Sequence, residues 1–340
     1  MAAAFVACAL ACAQACTTPP RPMDGQPLGA GSARRARAPI MPPAVGAPLD
    51  DRGGDDDASG WAEGEEWPDD DPAYEPAPLH TEELVLAGST GRPARAYLTA
   101  HKASMAESNK GIVLLTDIFG WAHPSARAAA DRLAASCEAF VLVPDLFRGQ
   151  AWPESKPPSG PEYEAWRTRI ALSDVAGDVL GCARYLNSRH GVELLGLAGF
   201  CWGGGRALEL VAREWVDAHA VVAFYPTRYD VEPVARAMHL PLLAVFGGAD
   251  TVAGATPSDA AGLESGLARN PRMRQHYFVR SFPERAHAFA HQPRDEPTAR
   301  DADAALKLAE AWFDKYLHES LIPQPAQDAR AAHDEADDGE

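Results

Sequence analysis

The 340-residue chain lacks any C-x-x-C pair, any H-E-x-x-H pair and any run of eighteen apolar residues. It also has no Walker-type loop, no G-x-G-x-x-G after an apolar run and no G-x-S-x-G. These absences argue against a zinc-ribbon or dithiol centre, a zincin-type metal site, a transmembrane helix, a nucleotide cofactor and a serine elbow. Positive charge is scarce too: 31 Lys and Arg stand against 48 Asp and Glu, a formal net charge of −17. The electrostatic attraction that draws proteins to phosphate backbones or anionic lipid is therefore missing, and no nucleic-acid partner is expected. No cofactor and no metal are implied.

What is present is a globular balance, 46% hydrophobic and 23% charged, which excludes disorder throughout. The charge is unevenly spread. Residues 1–79 carry 5 basic and 13 acidic side chains, residues 80–322 carry 25 and 29, and residues 323–340 carry 1 and 6. Residues 50–78 and the tail from 323 are too polar to bury a core, and disorder is expected in both. Met1 to Cys16 is apolar and Ala-rich, and residues 32–37 are basic and free of acid. That opening reads either as a targeting leader or as unstructured low-complexity sequence. Cys8, Cys12 and Cys16 fall in it; Cys137, Cys182 and Cys201 fall in apolar segments of the central region. An odd number of central cysteines predicts free thiols in a reducing compartment, the cytoplasm or an organelle stroma.

Residues 80–322 alternate between short apolar runs and longer segments of helical character. The runs at 111–116, 139–144, 193–199, 218–224, 241–246 and 276–282 predict buried strands. Helices are predicted over 125–136, 161–187, 203–214, 258–269 and 298–317, the first with Ser125 as its capping residue. The last carries Leu306, Ala309, Trp312, Phe313 and Tyr316 at helical spacing. Residues 83–86 and 95–98 predict an antiparallel hairpin at the sheet edge. The fold class is α/β, a mainly parallel sheet with helices on both faces, in one domain.

In such a sheet the chemistry belongs at the carboxyl ends of the strands. One strand runs into Gly199-Phe200-Cys201-Trp202-Gly203 and then a helix, the G-x-nucleophile-x-G elbow with Cys as nucleophile. A turn this tight exposes the thiol at a helix N-terminus, where its pKa falls and backbone N–H groups point at a developing oxyanion. Two later strands end at Asp250 and shortly before His287, so the order nucleophile, acid, histidine is that of the α/β-hydrolase fold. Taken singly, a Cys is often a small buried hydrophobe and an Asp a turn residue. Three matching strand ends in order are not readily a coincidence.

These residues carry a resemblance. Residues 199–204, with 116–121, 143–147, 247–250 and 287–289, resemble the dienelactone hydrolase family, the carboxymethylenebutenolidases, and within it the eukaryotic homologue branch. The likeness covers nearly all of residues 80–320. It implies an α/β-hydrolase fold, with Cys201 as nucleophile, Asp250 as orienting acid and His287 as base. Bacterial members carry Glu where Asp117 stands, and that carboxylate holds the resting thiol. Asp117 follows the strand at 111–116, which is expected beside the elbow strand, and so has two possible jobs near Cys201: by the resemblance it gates the thiol, or it supports the loop that presents the Ile118 N–H to the oxyanion. The two arginines that grip the substrate carboxylate in those members fall here at Gly149, next to Arg148, and at His291.

The chemistry expected is cysteine-dependent hydrolysis of a lactone or activated ester through a thioester, with the oxyanion held by the backbone N–H groups of Ile118 and Trp202. Trp121, Arg148, Trp152, Tyr225, Phe289 and His291 are the candidate pocket residues, although aromatics in a fold of this size are core by default. A small-molecule ester or lactone is the expected partner and a monomer the expected state. Two rivals remain: a regulatory protein using Cys201 as a redox-sensitive thiol, and an esterase or peptidase of serine type on the same fold. A sensor has no need of Asp250 and His287, and the serine motif is absent.

Overall fold

The computed structural model describes residues 78–87, 93–102 and 104–318. The expected leader, the acidic linker through residue 77 with Cys8, Cys12 and Cys16, and the tail beyond residue 318 lie outside the described residues.

Eight strands form one sheet in the order β1-β2-β4-β3-β5-β6-β7-β8. They are β1 (Leu79–Ala87), β2 (Pro93–His101), β3 (Lys110–Leu115), β4 (Phe140–Pro144), β5 (Leu194–Phe200), β6 (Ala220–Phe224), β7 (Leu242–Gly247) and β8 (Tyr277–Phe282). β2 runs antiparallel to both β1 and β4, and every other pairing is parallel. The edge hairpin is longer than the alternating residues suggested, because β1 pairs with β2 along its whole length, from Leu79 opposite His101 to Ala87 opposite Pro93.

Parallel strands need crossovers, and the helices that supply them cover both faces. α1 (Pro124–Cys137) and α7 (Glu296–Tyr316) pack on one face. α3 (Leu172–His190), α4 (Trp202–Ala212), α5 (Val231–Ala237) and α6 (Pro257–Arg269) pack on the other, with α2 (Gly160–Arg167) preceding α3. This is why β4, β5, β6 and β7 are buried along their whole length and read as continuous apolar runs. Along β5 the side chains still alternate: Leu195 and Leu197 face the α3–α6 layer, Leu194, Ala198 and Phe200 the α1–α7 layer. The stripe on α7 is buried at Leu306, Ala309, Trp312, Phe313 and Tyr316, as its spacing predicted.

Three expectations change. The helix predicted over 161–187 is two helices, with Arg167 ending one and Leu172 opening the next. No Gly or Pro marks the break; Thr168 turns its hydroxyl back onto the carbonyls of Glu164 and Ala165 and closes the first helix. α1 is capped by His123, whose ring accepts from the Ser125 N–H, so Ser125 is the second residue of the helix and Pro124 its first. The short helix α5 was not read from the sequence; its seven residues are too few to show a period.

Register aligns the carboxyl ends. Leu115 pairs with Gly199, Gly199 with Ala223, Phe224 with Val245, and Val245 with Arg280. Residues just past β3, β5, β6, β7 and β8 therefore emerge along one rim.

Candidate active site

The turn after β5 holds Cys201 at φ 52° and ψ −115°, a sparsely populated conformation for a non-glycine residue. Its amide donates to the Phe224 carbonyl and its carbonyl accepts from the amides of Gly205 and Thr227, so the strain is held by the sheet and by α4. The flanking glycines are obligatory. A Cβ on Gly203 would lie 2.3 Å from the Leu115 carbonyl oxygen, and one on Gly199 2.6 Å from the Gly203 backbone. Cys201 is partly exposed, whereas Cys137 and Cys182 are buried and free, and burial pushes the Cys137 thiol up to about 12. The Cys201 sulfur lies 3.7 Å from the Thr227 hydroxyl.

The loops after β7 and β8 bring Asp250 and His287 together, with Asp250 Oδ2 2.6 Å from His287 Nδ1. Asp250 is buried, and its Oδ1 accepts from the Val252 N–H. Burial acts to lower the His287 pKa, but the hydrogen bond to Asp250 and the nearby Cys201 side chain outweigh it and raise it to about 10. The other ring nitrogen, Nε2, is buried and without a partner at full hydrogen-bond distance. Cys201 is thus near enough to act on the ring's proton affinity but is not tightly bonded to it, a looseness common in unliganded sites.

Two backbone N–H groups, of Trp202 at the start of α4 and of Ile118 after β3, have no hydrogen-bond partner among the described residues. The Ile118 carbonyl accepts from Trp152 at 2.8 Å. Asp117 is not bonded to the thiol: its Oδ1 accepts from the Phe119 N–H at 3.0 Å, and its Oδ2 meets His291 Nε2 at 2.9 Å and Gln292 Nε2 at 3.1 Å. All the hydrogen bonds of this carboxylate go to groups other than the sulfur expected from the resemblance. The partners on Oδ2 come from the loop after β8, which no local pattern links to residue 117.

The pocket candidates divide. Trp152 stacks edge-on against Tyr163 and lies beside Trp166, over the Ile118 loop. Tyr225 is fully buried, with its ring edge-on to His287 at 5.1 Å, and Phe289 packs between Tyr225 and Phe282. His291 is buried and bonded on both ring nitrogens, to Tyr225 and to Asp117. Trp121 lies elsewhere, with the guanidinium groups of Arg95 and Arg127 at 4.9 and 5.0 Å from its ring on the hairpin side. Arg148 makes a two-pronged pair with the buried Asp178 at 2.8 and 2.7 Å and caps the Asp145 carbonyl, which leaves it no free fork for a ligand. Sequence reasoning missed Tyr163, Thr227 and Gln292. Tyr163 lies on α2, packed on Trp152 and Trp166, and burial, with the Cys201 side chain nearby, raises its pKa.

His287 and His291 do not converge on a metal, since the Nδ1 of each and the Nε2 of His291 are engaged within the protein. Among the described residues no helix is long and apolar enough to cross a membrane.

Residues 94–317 match the model of the dienelactone hydrolase family. The mouse carboxymethylenebutenolidase homologue is 30% identical over 233 residues, 66% of this chain and 88% of that protein. The human homologue is 26% identical over 252 residues, covering 71% and 98%. Among solved structures, the dienelactone hydrolase of Anabaena variabilis superposes with a TM-score of 0.50 at 21% identity over 70% of this chain and 99% of that one. A dienelactone hydrolase-like promiscuous phosphotriesterase from metagenomic libraries gives 0.57 at 15%, over 71% and 99%. Elbow, strand order and sequence agree: the chain belongs to the dienelactone hydrolase family and is a hydrolase of ester or lactone bonds.

Proposed function

We propose that Cys201 is the nucleophile of this hydrolase, His287 its base and Asp250 the group that orients the base. The observation that carries the reading is the Asp250–His287 hydrogen bond of 2.6 Å, with the free edge of that imidazole near a cysteine held in a strained elbow. Asp250 can only accept, so one ring proton points at it from His287 Nδ1; Nε2 is the site that takes the thiol proton, and the raised proton affinity of the ring favours that transfer.

Sulfur attacks the carbonyl carbon, and the carbonyl electron pair moves to oxygen, where the N–H groups of Ile118 and Trp202 receive it. The tetrahedral adduct collapses with loss of the alcohol or enol oxygen, which takes the proton from His287. Water, deprotonated by His287, then cleaves the thioester, and the sulfur leaves. An imidazole with a raised pKa holds its proton strongly. Leaving groups that depart with little help from an acid, such as phenols and enols, therefore suit this site better than amines or simple alkoxides. Activated esters and enol lactones are the substrate class of this proposal, and peptides are not.

The test is hydrolysis of an aryl ester and an enol lactone by wild type and by Cys201→Ala, with the protein's mass read during turnover. A folded Cys201→Ala protein without turnover, together with an acyl adduct on wild-type Cys201, is expected. Turnover retained in Cys201→Ala overturns the proposal.

A further inference from the structure

Behind the triad lies a second chain of polar side chains that the mechanism above does not use. The Tyr225 hydroxyl is 2.5 Å from His291 Nδ1, and His291 Nε2 is 2.9 Å from Asp117 Oδ2. All three are buried, the side chain of His291 to 1% exposure and that of Asp117 to 5%. A carboxylate has no proton to give, so His291 Nε2 donates to Asp117, and Nδ1 is left to accept from the tyrosine hydroxyl. Polar groups buried this deeply cost free energy unless every partner is present. Here every partner is present, drawn from three strand ends: Asp117 follows β3, Tyr225 follows β6, and His291 lies in the loop after β8.

What the chain holds is specific. Asp117 Oδ1 accepts from Phe119 N–H, which closes a tight turn around Ile118. The Ile118 carbonyl is held by Trp152 N–H. With both sides fixed, the Ile118 N–H keeps one orientation. The other end of the chain leans on the base: Phe200 stacks on the His291 ring at 4.4 Å, and the Tyr225 ring stands edge-on to His287. Tyr225 itself is held at φ 36°, a left-handed conformation unusual for an aromatic residue.

We infer that Tyr225, His291 and Asp117 are positioning residues: a buried relay, tyrosine to histidine to carboxylate, that fixes the Ile118 N–H where the oxyanion forms and ties it to the loop carrying His287. The inference rests on the acyl-transfer reading above. His291 is buried and bonded on both nitrogens, so it acts through Asp117 and does not grip substrate.

The relay acts on the oxyanion and not on the thiol, which separates it from a merely structural network. Acyl transfer from an aryl ester forms an oxyanion, whereas alkylation of Cys201 by iodoacetamide displaces iodide at a saturated carbon and forms none. In Tyr225→Phe, kcat for the aryl ester is expected to fall roughly 10-fold or more, with KM and the alkylation rate within about twofold of wild type. His291→Gln, which keeps one donor and one acceptor, is expected to recover a large part of the kcat lost in His291→Ala. A Tyr225→Phe kcat within about twofold of wild type overturns the inference. So does alkylation that falls in step with kcat in Tyr225→Phe and His291→Gln, since the network then serves the thiol or the fold. Cys201→Ala, run alongside, keeps the two readings apart: retained turnover there removes the acyl-transfer reading, while lost turnover with an unchanged Tyr225→Phe removes only the relay.

Discussion

Oδ2 of Asp250 sits 2.6 Å from Nδ1 of His287, and the Asp250 side chain has no solvent exposure at all. A buried carboxylate paired this closely fixes both the tautomer and the tilt of the ring. Asp250→Asn keeps the shape but presents an amide that can offer N–H to the ring. We expect kcat for an aryl ester to fall by about a thousandfold or more with KM little changed, checked by steady-state kinetics on folded protein.

The same contact has a pH signature. The folded-state pKa of His287 is raised to about 10 from an ordinary 6.5. Its protonated form is thus bound more tightly by the folded protein, and the stability this supplies is complete below pH 6.5 and lost as pH rises through about 10. Thermal melts between pH 6.5 and 10 should show a steeper loss for wild type than for His287→Gln; parallel curves refute the assignment. Asp250→Asn should bring the imidazole titration, followed by NMR, down toward the ordinary value.

Arg148 and Asp178 give the opposite kind of prediction. The guanidinium is spent on a carboxylate whose side chain is 2% exposed. Arg148→Met should leave KM for an anionic ester unchanged and destabilise the protein by about 3–5 kcal/mol, because Asp178 is left buried without its partner. Kinetics and chemical denaturation, measured together, separate this from a substrate-gripping role, which would raise KM with little loss of stability.

At the elbow, Gly203→Ala places a Cβ against the Leu115 carbonyl at 2.3 Å, a backbone atom that cannot swing aside. A loss of at least about 2 kcal/mol is expected, a fall in Tm of roughly 4–8 °C. Far from the rim, Asn270 donates to the carbonyls of Ala235, Arg236 and Met238 at 2.9, 3.1 and 2.7 Å. Asn270→Ala should cost a similar amount by orphaning them, but with kcat/KM intact in the folded fraction.

The sequence by itself determined the class of fold and the chemistry-bearing strand ends. Strands buried on both faces must be apolar throughout, and the chain alternates such runs with helical periods, so the parallel sheet was legible in residues 111–116 and 193–199. The elbow was legible as well, because no other residue than glycine fits at 199 and 203. Local pattern carries no information about which loops meet across the sheet. The tertiary structure alone decided that Asp117 turns to His291 and Gln292, that Arg148 is consumed by Asp178, and that Trp121 packs against Arg95 and Arg127. It also decided that α2 breaks from α3 with no glycine or proline to announce it. Each of these depends on side chains distant in sequence competing for one hydrogen bond or one ring face, and that competition is settled only when strand register brings the competitors to the same rim.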